Sequence, residues 1–410
     1  MAIASASIAC AQPIEAFRRT YNAPSNHSDD GVAVAADGHG GCYVGGDVYA
    51  PTTGFYAARL VAYDPKGTIR WTFGDPGPDE SERVEQVRRT PIQPDVWVLS
   101  RAVNLLNQRS LRLTRVTAAG QPVFVANLNP GTGGSEYPAD LFVDPQGFGY
   151  VKFGRDGTSF AAKVSPAGVV LWETPLFTTS DSAGTGIVAD GTGVFVAGIL
   201  QSVQGGTFTA ALSQAGTVLW TTTDSGPIGN TLGPAIVARH GGDVIVATSP
   251  ETTFGIGRYR LTRSNAATGA VLWSKDYSPE ANANADLVGM AVDRWGNASV
   301  TATRLFPTVR SFVVRYGADG ARLWETELAD VARAMTVDAN GNIFVGTGSG
   351  WLFGLTRLGA IAFSRRRVPD VYEDLDADQR GNVFAAGTAF SSATNDDFVA
   401  VKLLWLRRIL

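Results

Sequence analysis

Acidic side chains crowd one short stretch of this chain. Glu373-Asp374-Leu375-Asp376-Ala377-Asp378 puts a carboxylate at alternate positions, so on an extended strand Asp374 and Asp376 share one face. Asp140 holds the place of Asp374 in an earlier repeat. Brought together at an axis, these three candidates have two chemistries open to them. They can offer oxygen ligands to a hard cation, or share a proton at a raised pKa, as a hydrolase or lyase acid would. The bland alternative is a hydrated channel wall. Other chemistry is sparse. The three histidines, His27, His39 and His240, and the two cysteines, Cys10 and Cys42, are too few and too scattered for a metal cluster, a disulfide framework or a nucleophilic triad, and the histidines read as exposed loop residues. No metal site and no catalytic residue is therefore assigned.

Stepping outward from these residues, the elements that must hold them recur. Asp286 to Leu328 reads as four short strands with tight turns at Arg294-Trp295-Gly296-Asn297 and Ala318-Asp319-Gly320. The first turn follows a D-x-x-G-N pattern, and its glycine slot falls at Gly40, Pro94, Gly147, Gly193, Gly242, Gly296, Gly341 and Gly381. These markers lie about 50 residues apart, the repeat length of four-stranded propeller blades. A second marker, a glycine turn followed by an aromatic, gives the same register: Gly67 with Trp71, Gly120 with Phe124, Gly168 with Trp172, Gly216 with Trp220, Gly269 with Trp273, Gly320 with Trp324 and Gly359 with Phe363.

The last unit runs out before its fourth strand, and Ile14 to Tyr21 stands at the other end of the chain with nothing to pair with. The expectation is an all-β, single, closed eight-bladed β-propeller of four-stranded antiparallel blades, the last completed by the N-terminal strand; seven blades is the alternative. The turn aspartates Asp37, Asp144, Asp190, Asp293, Asp338 and Asp378 recur once per unit, as structural Asx-turn acceptors do.

Composition narrows the function. The 410-residue chain has 47 glycines, only 18% charged residues and a net charge of −4, with a pI near 5.5. Those values suit short strands and tight turns, and they argue against nucleic acid or an anionic membrane as partner. Arg365-Arg366-Arg367 and Arg407-Arg408 read as solvated faces. No apolar run reaches membrane-spanning length. Residues 1–11, small and mildly apolar with Ala9-Cys10-Ala11 before Gln12, read as the remnant of a secretory leader or a disordered terminus, and 12–410 as one propeller domain.

The pattern D-x-x-G-N-x-F-V-x-G followed by G-x-x-L-W resembles bacterial propeller repeats of the SBBP type and the quinoprotein-like (PQQ-like) repeats. Ala267-Thr268-Gly269-Ala270-Val271-Leu272-Trp273 is especially close to the quinoprotein signature. The resemblance implies that Trp71, Trp172, Trp220, Trp273 and Trp324 dock each blade against the next. Quinone-dependent dehydrogenases of this kind use adjacent cysteines, a calcium site of Glu and Asn, and an Asp base. No matching set is found here, so no cofactor is expected. The resemblance also suggests propellers of envelope assembly machinery. Function is thus expected to be that of a non-enzymatic, monomeric, secreted or periplasmic scaffold binding a protein or glycan through its loop faces. The alternative is a lyase or hydrolase using Asp140, Asp374 and Asp376 at the channel.

Overall fold

In a computed structural model the described residues are 13–23, 27–51, 53–74, 80–106, 108–128, 136–178, 186–200, 206–224, 235–249, 258–278, 285–304, 308–391 and 395–405. Residues 1–12, with the expected leader remnant, lie outside them. The described residues form strands β1 to β32, arranged as eight four-stranded antiparallel sheets without a helix, so the ring has eight blades and not seven.

Local turn chemistry sets each blade. Asp378 accepts the backbone N–H groups of Arg380 and Asn382 at 2.9 Å, and its second oxygen accepts the Asn382 side-chain amide at 2.6 Å. Asp338 and Asp293 do the same with their own turn residues. The D-x-x-G-N pattern is therefore a hydrogen-bonded unit that turns the chain between the first two strands of a blade.

Each blade's innermost strand lies nearest the axis. In order these are β2 (Asp29–Ala36), β6 (Glu80–Arg89), β10 (Glu136–Val143), β14 (Gly186–Asp190), β18 (Ile236–His240), β22 (Ala285–Val292), β26 (Ala332–Val337) and β30 (Asp370–Ala377). Every one of them touches the next, and β30 touches β2, which closes the circle. Blade 8 is built as β1-β32-β31-β30, with β1 (Ile14–Tyr21), β31 (Asn382–Ser391) and β32 (Asn395–Leu404). The N-terminal strand runs antiparallel to β32, from Ile14 opposite Leu404 to Tyr21 opposite Phe398. Arg18 reinforces the closure by donating to both oxygens of Asp370, at 2.9 and 2.5 Å.

Between blades the core is divided into eight hydrophobic clusters, one at each junction. Two polar devices register the blades. The first is aromatic. The indole N–H of Trp71 donates to Ala118 O of the following blade at 2.8 Å, and Trp172, Trp220, Trp273 and Trp324 donate to Gln214 O, Ala266 O, Ala318 O and Arg357 O in the same way. Each ring lies under the next blade's turn glycine. At Gly320, with φ of 79°, an added Cβ would sit 2.8 Å from the Trp273 ring. Phe17, from the N-terminal strand, occupies the same place beneath Gly67 at the closing junction.

The second device is basic and was not anticipated. Near the end of the third strand, Arg115, Arg263, Arg315 and Lys402 reach across to carbonyls of the next blade: Pro166 O at 2.6 Å, Ala318 O at 3.0 Å, Gly341 O at 2.7 Å and Gly40 O at 2.5 Å.

Candidate functional site

The innermost strand of a blade pairs on one side only, so N–H groups on its free side are left for the preceding blade to meet. This is where the carboxylates lie. Asp374 Oδ2 accepts Val34 N–H of blade 1 at 2.9 Å, while its Oδ1 accepts Leu375 N–H at 2.9 Å. Two residues on, Asp376 repeats the contact with Ala36 N–H at 2.8 Å and Ala377 N–H at 2.8 Å. Asp140, on blade 3, accepts Ile187 N–H of blade 4 at 3.1 Å and Leu141 N–H at 2.9 Å. Each carboxylate bridges two adjacent inner strands, with both oxygens engaged by peptide N–H groups.

Asp374 and Asp376 line a cavity of about 810 Å³ bounded mainly by blades 8, 1 and 2. Asp140 is outside that lining and is linked to it through Arg88, whose guanidinium lies 3.6 Å from Asp140 Oδ1 and lines the same cavity. A second cavity of about 530 Å³ shares Asp374 with the first and carries Asp30, Asp47, Arg83, Glu85 and Glu373. Asp374 thus stands between two halves of an axial channel.

Enclosure by the ring sets the electrostatics. Burial pushes Asp374 up to about 6, opposed by Arg88 and by the Val34 N–H. Asp376 and Asp140 are raised by the same cause, each held back by the N–H groups it accepts and by Arg88. Asp47, which accepts Val84 N–H at 2.8 Å, is pushed up by burial to about 7. The arrangement can hold protons near neutral pH. Among the described residues no group of three or more His, Cys, Asp or Glu side chains is placed to hold a metal ion.

Arg88 was missed from the sequence, although a signal was present: it occupies the position two before the turn, as Asp376 does, and strand alternation aims both alike. The histidines differ from one another. His39 is exposed, His27 packs on Tyr49 with ring centroids 5.3 Å apart, and His240 is a half-buried residue ending β18, with the Gly296 turn against its ring. His240 is therefore a blade-docking residue and not the exposed loop side chain expected.

Eight wedges around a polar axial channel define a β-propeller. Within that class, residues 157–305, less than half of the chain, match a family model described as outer membrane protein assembly factor BamB. A comparison with curated proteins finds no match. Among solved structures, BamB from Moraxella catarrhalis is similar with a TM-score of 0.58 and 14% identity, covering 96% of this chain and 100% of that one. Quinohemoprotein alcohol dehydrogenase from Comamonas testosteroni is similar with a TM-score of 0.65 and 12% identity, covering 97% of this chain and 77% of that one. Sqt1 from Chaetomium thermophilum, bound to the N-terminus of ribosomal protein L10, gives 0.62 and 10%, covering 93% and 98%. At such identities the likeness establishes the fold alone. No helix among the described residues is long and apolar enough to cross a membrane.

Proposed function

We propose that the chain is a non-enzymatic, monomeric scaffold of the cell envelope or exterior, built of SBBP-type repeats over 12–410, and that its partner is a protein docking at the channel mouth on blade 2. Ile92 is the observation that carries this reading. It stands between Pro91 and Pro94 in the turn that rims the larger cavity, and it is 74% exposed. Arg89, Arg380 and His39 surround the same rim. An apolar anchor within a polar rim is the arrangement in which interface binding energy concentrates. The carboxylates favour the scaffold over the hydrolase or lyase alternative, because their oxygens are already engaged by backbone N–H groups of adjoining blades. An envelope location is supported by the name of the matched family model, which refers to outer membrane protein assembly. Sqt1, which has a similar fold, is bound to the N-terminus of a ribosomal protein.

Photo-crosslinking separates the possibilities. A crosslinker placed at Ile92 should capture one protein from an envelope extract, a crosslinker at Leu272 on the outer wall should not, and Arg89→Glu at the rim should cut capture at least about tenfold, the effect of about 1.4 kcal/mol. Equal capture from both positions would reject the docking site. Turnover of a glycan or lactone panel that is abolished by Asp374→Asn with Asp376→Asn would replace the scaffold with the enzyme.

A further inference from the structure

Charge on the rim of the larger cavity does not cancel, and the cause is local. One residue before its turn, blade 5 carries Arg239, which reaches back to the preceding blade and donates Nε to Asp190 at 2.8 Å. Arg89 holds the same place in blade 2, with Gly38 of the preceding blade's turn against its guanidinium. The aspartate that would receive it is taken. Asp37 accepts the His39 and Gly41 N–H groups with Oδ1, and its Oδ2 lies 3.2 Å from Arg70. Among the described residues no hydrogen bond or ion pair therefore ties the Arg89 guanidinium.

Arg380 is left over in the same way. Its N–H goes to Asp378 at 2.9 Å, but its exposed side chain has no partner among the described residues. It is the third residue of the blade 8 turn, the slot that His39 fills in blade 1. In blades 3, 4, 6 and 7 that slot holds the uncharged Gln146, Thr192, Trp295 and Asn340. Arg380, His39 and Arg89 thus form an arc over three consecutive blades, 8, 1 and 2, that ends beside the exposed Ile92.

The carboxylates of this cavity lie deeper. A strand rises about 3.3 Å per residue, which puts Asp376 about 7 Å and Asp374 about 13 Å below the Asp378 turn. Arg88 acts on both, and Arg89 acts on Asp376 after it. Those depths are comparable to the Debye length of about 8 Å in physiological salt, so a guest lying across the mouth meets the arginines first. At the other end of the channel the sign reverses, with Asp30, Asp47, Glu85 and Glu373 set against Arg83. An acidic guest is admitted at one mouth and repelled at the other.

Shape narrows the guest further. Donors contributed by three blades along an arc suit an extended chain better than a compact ion, and a net charge of −4 on the whole molecule disfavours a nucleic acid. We infer that the segment docked at this mouth is an extended acidic peptide of the partner protein, with carboxylates on Arg89 and Arg380 and an apolar side chain on Ile92. This deepens the docking reading and rests on it.

Isothermal titration calorimetry of the full chain tests the chemistry. The probe is a capped peptide of four glutamates around a central leucine, compared with its glutamine counterpart, inorganic phosphate and a thymidine oligonucleotide. The acidic peptide should bind in preference to all three and lose affinity as salt is raised. Arg89→Gln with Arg380→Gln should weaken it about five- to tenfold, the size of two partly exposed ion pairs. No binding of the acidic peptide, equal binding of the glutamine peptide, displacement by an equal concentration of phosphate, or unchanged affinity in the double variant overturns the inference. Tighter binding of the oligonucleotide, lost in the same variant, replaces the peptide with nucleic acid. Should the double variant fail to fold, Arg380→Gln alone decides, since that side chain is exposed: unchanged affinity overturns the site. The two readings fail separately. Crosslinking from Ile92 to an envelope protein that persists in the arginine double variant keeps the docking site and removes the acidic segment, whereas acidic-peptide binding that ignores Ile92→Asn keeps the arginine arc and removes the blade 2 anchor.

Discussion

Lys152 offers a sharp test of how the blades are packed. It lies on β11 (Gly149–Arg155) with 0% exposure, at a position where the other blades carry Gly45, Leu99, Ala197, Ala247, Thr301, Gly346 and Ala386. Among the described residues its ammonium has one long bond, to Phe153 O at 3.4 Å. Asp140 is its register partner on the adjacent strand, but the carboxylate oxygens of Asp140 are directed to Ile187, Leu141 and Arg88. Burial alone lowers the lysine from 10.5 to about 7. A depression of that size corresponds to about 5 kcal/mol at most of destabilisation when the amine is charged in both states.

The unfolded chain holds this proton up to pH 10.5 and the folded one only to about 7. Between those values the unfolded state binds more protons, so wild-type stability rises with pH. Lys152→Met keeps the chain length and removes the charge. Its advantage should be several kcal/mol at pH 6, should shrink steadily above pH 7 and should vanish near pH 10. Urea denaturation of both proteins at pH 6, 8 and 10 measures it. A methionine variant no more stable than wild type at pH 6, or one whose advantage does not depend on pH, would refute the reasoning.

Asp374 should titrate in the opposite sense: the folded protein keeps its proton up to about 6 and the unfolded chain releases it near 3.8, so Asp374→Asn should gain in Tm relative to wild type as pH rises from 4 to 6. Thermal melts at the two pH values check this. Gly320→Ala forces a Cβ onto the Trp273 ring at a positive φ and should cost about 1–3 kcal/mol in chemical denaturation, as a strained left-handed residue does. Arg18→Met leaves the Asp370 carboxylate, with 0% side-chain exposure, unpaired, and should cost about 3–5 kcal/mol by the same assay.

The blade count was legible because its signal is local. Asp338, Gly341 and Asn342 form their turn from their own atoms, so the pattern survives wherever the unit recurs. Closure was legible from a mismatch, a last unit short of a strand and a first strand without a unit. The channel was harder to read. Alternation aims Asp374, Asp376 and Arg88 alike, but only the rotation from blade to blade decides that Asp374 meets the Val34 N–H and that Arg88 approaches Asp140. The basic docking residues were hidden for a similar reason, since Arg115 and Arg315 look like ordinary surface charges until the neighbouring turn is beside them.

The pairing of β1 with β32 also constrains how the molecule comes into being. Synthesis delivers Ile14–Tyr21 first and its mate nearly last, so the opening segment must wait, unpaired, while seven wedges accumulate behind it. Loop-closure entropy then falls on one late step spanning almost the whole polypeptide, during which the exposed border of that segment is open to wrong neighbours. Biogenesis, more than the finished ring, is where such a chain is exposed to misassembly.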